Sequence, residues 1–217
     1  MDQLSWIEFL IRSFAGVFVI LDPIGASSHF LALTSFHSAK QKKRIAFRST
    51  TTALVVLILF MISGSALFRY FGITLAALKI AGGILLFTVA LSMLNGKRPG
   101  SKTTPEEEQD AKKQDDVAII PLAIPLLSGP GAITTVMVLS GEAHDFLKAG
   151  ILLGAIVVSV FIAYIVFLYS EHIKNVLRPT GIKILTRIMG LIMSVISVQF
   201  VINGIYDVIP HLLERLS

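Results

Sequence analysis

Two tetrapeptides hold the residue types from which a polar site could be built inside an apolar chain. Asp22-Pro23-Ile24-Gly25 and Ser128-Gly129-Pro130-Gly131 each set a proline beside or near glycine within a long apolar run. Proline brings no backbone donor and clashes with the preceding turn. Glycine nearby loosens the backbone further. Each motif therefore predicts a helix broken in mid-course. Freed N–H and C=O groups are costly in hydrocarbon unless something satisfies them, so such breaks belong beside a polar cavity. There, half-helix ends offer partial charges and unwound backbone offers ligands. The chemistry this predicts is the binding of a small solute. Independent proline kinks, common in membrane helices, are the plainer alternative for either motif alone.

Asp22 is the only acidic residue deep in one of these runs. Placing a carboxylate there costs about 2.5–3.5 kcal/mol on insertion scales, so it needs a partner or a task. A substrate ammonium, a Na⁺ ion or a proton would each supply one. An N-cap on the half-helix that starts at Pro23 would explain it equally well. Ser27 and Ser28 follow the first break, and Thr134 and Thr135 the second. Their hydroxyls could line the site, although a Ser or Thr in a helix more often bonds its own carbonyls. His29 reads as a hydrogen-bonded packing residue. No metal-ligand spacing accompanies it, and no metal site is expected. Ser128 lacks a base within a matching motif, and a single intramembrane carboxylate cannot form an aspartyl pair. An enzyme is therefore not expected. No phosphate-binding loop is present, and with no cysteine a thiolate site or disulfide is excluded.

The elements that must position these residues are membrane helices. Of the 217 residues 54% are hydrophobic and 15% charged, with a mean hydropathy of +0.77. That balance excludes an ordinary soluble domain and a disordered chain. Six runs reach the roughly 20 apolar residues a span needs: Ile7–Thr34, Ile45–Phe68, Ile73–Leu94, Val117–Ser140, Phe146–Tyr169 and Ile182–Val208. Between the third and fourth lies a segment with charges of both signs and two prolines, Lys97–Asp116, which reads as a solvated linker. It divides the chain into residues 1–96, the linker 97–116 and residues 117–217. Asp2 and Glu8 stand where a signal peptide would be basic, so none is expected.

Loops after the first, third and fifth spans carry thirteen basic residues, and the opposite face four. The positive-inside rule then puts the linker in the cytoplasm and both termini on the outer, periplasmic face of an inner membrane. The net charge of +5 has the same origin and does not call for nucleic acid. Each half holds three spans, so related halves would have opposite orientation. Lys79-Ile80-Ala81-Gly82 and Asn95-Gly96 match Arg187-Ile188-Met189-Gly190 and Asn203-Gly204 at an offset of 108 residues, and Pro23 matches Pro130 at 107. Inverted repeats are a frequent transporter design.

Lys79 and Arg187 lie near span ends. They either snorkel to the headgroups or tether broken-helix ends and gate access. Asn95 and Asn203, each before glycine, read as helix C-caps. Gln199 reads as an interhelical hydrogen-bonding group, and Gly150-x-x-x-Gly154 as a close helix contact within the bundle or a homo-oligomer.

The chain resembles the MarC family of integral membrane proteins over nearly its whole length. The resemblance rests on LDPIG at Leu21–Gly25 with FLALT at Phe30–Thr34, and on FGI at Phe71–Ile73 with KIAGGILL at Lys79–Leu86. It extends through IPLAIPLLSGPGAI at Ile120–Ile133, RIMGLIM at Arg187–Met193 and VQFVINGI at Val198–Ile205. It implies six spans and secondary transport, since a member is described as carrying small neutral amino acids such as glycine and alanine. The family often has Asn where Ala26 stands, and some members carry Asn in place of Asp22. That implies a cap or a substrate ligand there rather than an obligatory proton carrier.

Together these readings predict an all-α polytopic bundle of six spans, arranged as two inverted three-span repeats with broken first and fourth helices. The predicted function is alternating-access transport of a small neutral amino acid, with Na⁺ or H⁺ as a possible coupling ion. The candidate binding residues are Asp22, Pro23, Gly25, Ser27, Ser128, Gly129, Pro130, Gly131 and Thr134; Lys79, Arg187, Asn95 and Asn203 are candidate gating or structural residues. Export of drugs or small amphipathic solutes is the alternative within transport, and a non-transporting membrane scaffold is the alternative outside it.

Overall fold

A computed structural model describes residues 6–95 and 118–216 of the chain. The predicted linker, 97–116, and Gly96 lie outside them. Among the described residues the structure is helical, without strands. Helices α1 (Trp6–Leu21) and α2 (Pro23–Leu33) meet at Asp22, followed by α3 (Ala39–Phe71) and α4 (Leu75–Leu94). A π-helical segment, Ala118–Leu127, then leads to α5 (Pro130–Glu142), α6 (Phe146–Leu168) and α7 (Ser170–Leu216).

Among the described residues five stretches are long and apolar enough to cross a membrane: Trp6–Leu33, Ala39–Gly64, Leu75–Leu94, Phe146–Leu168 and Thr180–Ile209. Large apolar side chains such as Ile11, Leu59, Ile62, Ile84, Phe161, Leu191 and Val195 point outward along them. So much exposed apolar surface suits lipid rather than water. This is an all-α membrane protein. The predicted fourth span is divided like the first, here into the π-helical segment and α5, and neither of its pieces is long enough to cross a membrane by itself. Pro121 and Pro125 bring no N–H to the first piece, and the Ser128 N–H bonds the Ala123 carbonyl five residues back at 2.9 Å. That wide turn is the register of a π-helix.

The broken helices sit between two helix pairs. α1 and α2 lean on α6, while the π-helical segment and α5 lean on α3; α2 also meets α7, and α5 meets α4. Exchanging the two halves leaves this contact scheme unchanged. The core follows it, with Phe9, Leu21, Phe30, Leu57, Leu127, Ile156 and Phe167 all buried and Phe30 stacked on Phe167 at 4.7 Å.

The most extensive contact joins α4 and α7, and glycines set it. A β-carbon on Gly83 would meet the Ser197 carbonyl at 2.6 Å, one on Gly190 the Ala90 carbonyl at 3.2 Å, and one on Gly204 the Ala76 carbonyl at 2.8 Å. As residue numbers rise along α4 they fall along α7, so the two helices run antiparallel. Gly16 against Thr135 and Leu139, with Ile20 against Gly131, shows the same sense for α1 and α5.

Three expectations are corrected here. Asn203 does not cap a helix: α7 continues to Leu216, and Gly204 serves close approach to α4 instead. Gln199 donates within its own helix, to Asn203 Oδ1 at 2.7 Å. A β-carbon on Gly150 or Gly154 would meet nothing within 4 Å, so among the described residues neither makes the close contact expected within the bundle. Asn95 does end α4, its backbone N–H bonding the Leu91 carbonyl. The region after the fifth span is helical from Ser170, broken at Arg178 (φ 55°, ψ 167°). The ring of Pro179 disfavours an α-helical residue before it.

Candidate functional site

The first break is built by one side chain. Asp22 adopts a left-handed backbone (φ 39°, ψ 62°) and caps α2, its side chain accepting from the Gly25 N–H at 3.1 Å. Asp and Asn tolerate that conformation better than other residues with a β-carbon. Pro23 occupies the first turn, where a missing N–H costs nothing. Gly25 is required beneath the cap, because a β-carbon there would overlap the Asp22 carboxylate.

The second break is built differently. Gly129 precedes α5 in an extended conformation and supplies no side-chain cap. The first helical bond is Ile133 N–H to Gly129 C=O at 3.0 Å. The N–H groups of Gly131 and Ala132 come before it and have no carbonyl within the helix to receive them. One half-helix thus starts under a carboxylate, and the other starts open.

Both starts wall one cavity of about 160 Å³. Asp22, Gly25 and Ala26 line it from α2, and Gly129, Pro130, Gly131 and Ala132 from the second break. Ile20, Leu126, Val89 and Met93 close its sides, and His29 faces it from the next turn of α2. Asp22 is the one acidic residue on this lining. A carboxylate on one side and uncapped N–H groups on the other give the cavity an electrostatic direction: it can accept a cationic group near Asp22 and an anionic one at the start of α5.

Of the nine candidate binding residues, Asp22, Gly25, Gly129, Pro130 and Gly131 reach this cavity. Pro23, Ser27, Ser128 and Thr134 do not. Ser27 donates to the Ile24 carbonyl at 2.6 Å and Ser128 to the Ala123 carbonyl at 2.9 Å. Thr134 turns its methyl against Gly82. The Ser27 and Ser128 hydroxyls are thus spent on the backbone, and the walls of the cavity are mostly apolar. Val89 and Met93, four residues apart on one face of α4, carried no signal beyond that spacing.

A second polar feature lies at one end of the bundle. Lys79 is buried, with Nζ 2.9 Å from Glu142 Oε1 and 2.9 Å from Asp207 Oδ2. Arg12 reaches the other Glu142 oxygen at 3.0 Å. Lys79 therefore does not extend toward headgroups but grips the last residue of α5. Arg187, 108 residues further along the chain, is exposed and makes no ion pair with the described residues. Glu142 and Asp207 stand at predicted span ends and gave no separate sign of a role. Their equal number with Arg12 and Lys79 at the same end was the available signal.

The family comparison bears on this architecture directly. The family described as MarC family integral membrane protein matches residues 7–209. The chain belongs to the MarC family. A UPF0056 membrane protein of Aquifex aeolicus is 38% identical, over 96% of this chain and 99% of its own length. A UPF0056 membrane protein of Methanocaldococcus jannaschii, MJ1677, is 39% identical, over 92% of this chain and 97% of its own. YhcE, a UPF0056 membrane protein of Escherichia coli, is 30% identical over 94% of each chain. No solved structure matches. The names of these relatives describe membrane proteins and specify no solute.

Proposed function

We propose that this protein is a secondary transporter of small neutral amino acids, glycine- or alanine-like, which holds its solute between the two helix breaks. One observation carries the reading. Two breaks at an offset of 107 residues in the chain wall a single cavity, with a carboxylate at one and open helix N–H groups at the other. A zwitterion is complementary to that pair. Its carboxylate receives the N–H groups of Gly131 and Ala132, and its ammonium meets Asp22.

Size favours a small solute over a drug. Pockets for drug-sized ligands run from about 300 Å³ upward, and this one is about 160 Å³. The apolar walls suit a side chain no larger than a few carbons. They are also what an exporter of small amphipathic solutes would use, so that reading is the second one. The antiparallel α1–α5 and α4–α7 contacts support two inverted three-span repeats, with the π-helical segment and α5 together as the divided fourth span. Rocking of one half against the other would alternate access. By the charge bias of its loops, the chain lies in the inner membrane with both termini outside.

The test is uptake of radiolabelled glycine and alanine into proteoliposomes under a Na⁺ gradient, a proton gradient and neither. Saturable uptake that follows one gradient is expected. No uptake under any of them, from folded and inserted protein, would reject amino acids as the solute.

A further inference from the structure

Beyond the break cavity lies a second one of about 290 Å³. Arg12 and Gly16 line it from α1, Thr135 and Leu139 from α5, and Gln199 and Phe200 from α7. Gly16 is one helical turn from Ile20, and Thr135 one turn from Gly131. Ile20 and Gly131 line the break cavity. The same two helices therefore wall both spaces, one turn apart. Thr135 is fully buried and its hydroxyl has no partner. Native interiors seldom leave such a group unsatisfied without a reason.

The end of this second cavity away from the breaks is where the charges gather. Arg12 lies on its lining and is held by Glu142 at 3.0 Å; Glu142 is held in turn by Lys79, and Lys79 by Asp207. The four residues come from α1, α5, α4 and α7, so the network knits four helices across one end of the α1–α5 groove. Glu142 is also the last residue of the helix that begins at the break cavity. A shift at the start of α5 is thereby carried, along 13 residues of helix, to the centre of the network.

We propose that the α1–α5–α7 cavity is an outer station on the solute path, specific for a small solute with one carboxylate on an apolar body, and that the Arg12–Glu142–Lys79–Asp207 network seals it. This rests on the reading of the break cavity as the solute site. At the outer station Arg12 receives the carboxylate in place of Glu142, with the Thr135 hydroxyl as a further donor, while Leu139 and Phe200 enclose the apolar part. Exchange of one carboxylate for another at Arg12 frees Glu142 and loosens the α5 end from α1. The structure is then the closed form at this end.

The chain has no cysteine, so single cysteines can report on the path without background. Gly16 admits a side chain, since a β-carbon there meets its nearest neighbour at an ordinary 3.6 Å. Gly16→Cys is treated in intact cells with a membrane-impermeant thiol reagent, alone and combined with Glu142→Gln. Slow labelling alone, rising at least about tenfold with Glu142→Gln, is expected. L-alanine should then slow that labelling, and L-alaninamide, which lacks the carboxylate, should not. Equal rates with and without Glu142→Gln overturn the seal, provided Phe146→Cys, on an exposed residue at the same end, labels normally. Equal protection by alanine and alaninamide, or none by either, overturns the carboxylate station. If Glu142→Gln does not insert, Asp207→Asn loosens the network from α7 and is read in the same way. Labelling requires no transport. A failed uptake assay with successful labelling would therefore reject glycine and alanine as transported solutes and leave the gated cavity standing.

Discussion

Asp22 and Gly25 fit each other. The Asp22 carboxylate accepts the Gly25 N–H at 3.1 Å and occupies the space that a β-carbon on Gly25 would need. The two residues behave as one unit, and a double-mutant cycle should show it. Asp22→Ala loses a cap, worth about 0.5–2 kcal/mol, and leaves alanine in a left-handed conformation. Gly25→Ala should be the more damaging single change. The double variant should be less destabilised than the sum of the two, because the clash is with a side chain that is then absent. Thermal unfolding in detergent measures all three, and strict additivity would contradict the geometry.

The same position separates cap from ligand. Asp22→Asn keeps a side-chain oxygen for the cap and an accepted left-handed residue. It should insert and unfold like the parent and retain glycine or alanine uptake with KM raised by about tenfold, as for one weakened charge-assisted bond of about 1.5 kcal/mol. Asp22→Ala should abolish uptake while still inserting. Normal transport by correctly inserted Asp22→Ala would remove Asp22 from the site.

How much of this was legible in the sequence depended on the range of the cause. The breaks are local: proline and glycine act on their own turn, and Asp22-Pro23 and Gly129-Pro130 end helices where the chain says they should. The spans are also local, set by runs of apolar residues. What the sequence hid was long-range. Lys79 and Asp207 are 128 residues apart and Arg12 and Glu142 are 130 apart, and no spacing rule connects them. The hydroxyls were misread for a related reason. Ser27 and Ser128 satisfy themselves on carbonyls of their own turns, which composition cannot distinguish from lining a site. The six-span count met the π-helical segment, where Pro121 and Pro125 interrupt the ordinary bonding register.

Glycines of identical sequence appearance should differ sharply in tolerance. Gly83→Ala drives a β-carbon to 2.6 Å from the Ser197 backbone carbonyl, and α7 cannot yield there without shifting. Overpacking of that kind costs about 1–3 kcal/mol. Gly150→Ala and Gly154→Ala meet nothing and should be neutral or stabilising, since alanine favours helix. Thermal stability of the three variants compares them directly; an equal loss at all three would mean that α6 packs on a surface beyond this chain.

Outside the spans, one carboxylate gives a pH signature. The Lys42 ammonium, 2.6 Å from Glu171, holds the Glu171 carboxyl below the usual carboxylate range through hydrogen bonding and charge attraction. Its stabilising effect should be complete above the ordinary value of about 4.3 and disappear as pH falls through the lower folded value. Glu171 is largely exposed, so the effect should be small and weakened by salt. The Tm difference between parent and Glu171→Gln should narrow toward zero in acid. A difference that widens there would reverse the sign and refute the pairing.

Cavity size gives the last prediction and decides between solute classes. Met93 is buried at 2% exposure and forms a side wall of the break cavity. Met93→Ala removes most of that wall. It should cost about 2–5 kcal/mol of stability if the neighbours fail to collapse, and in that case the freed volume adds to the cavity. Uptake should then extend from glycine and alanine to valine- or leucine-sized solutes. Val89→Trp, on the same face of α4, should instead block uptake of all of them while leaving insertion intact. The paired result matters more than either alone, because a general loss of fold would reduce both variants together. If Met93→Ala leaves the solute preference unchanged and Val89→Trp still transports, the space between the breaks is not where selection occurs. The outer cavity beside Arg12, on the same α1–α5 groove, would then be the candidate for that role.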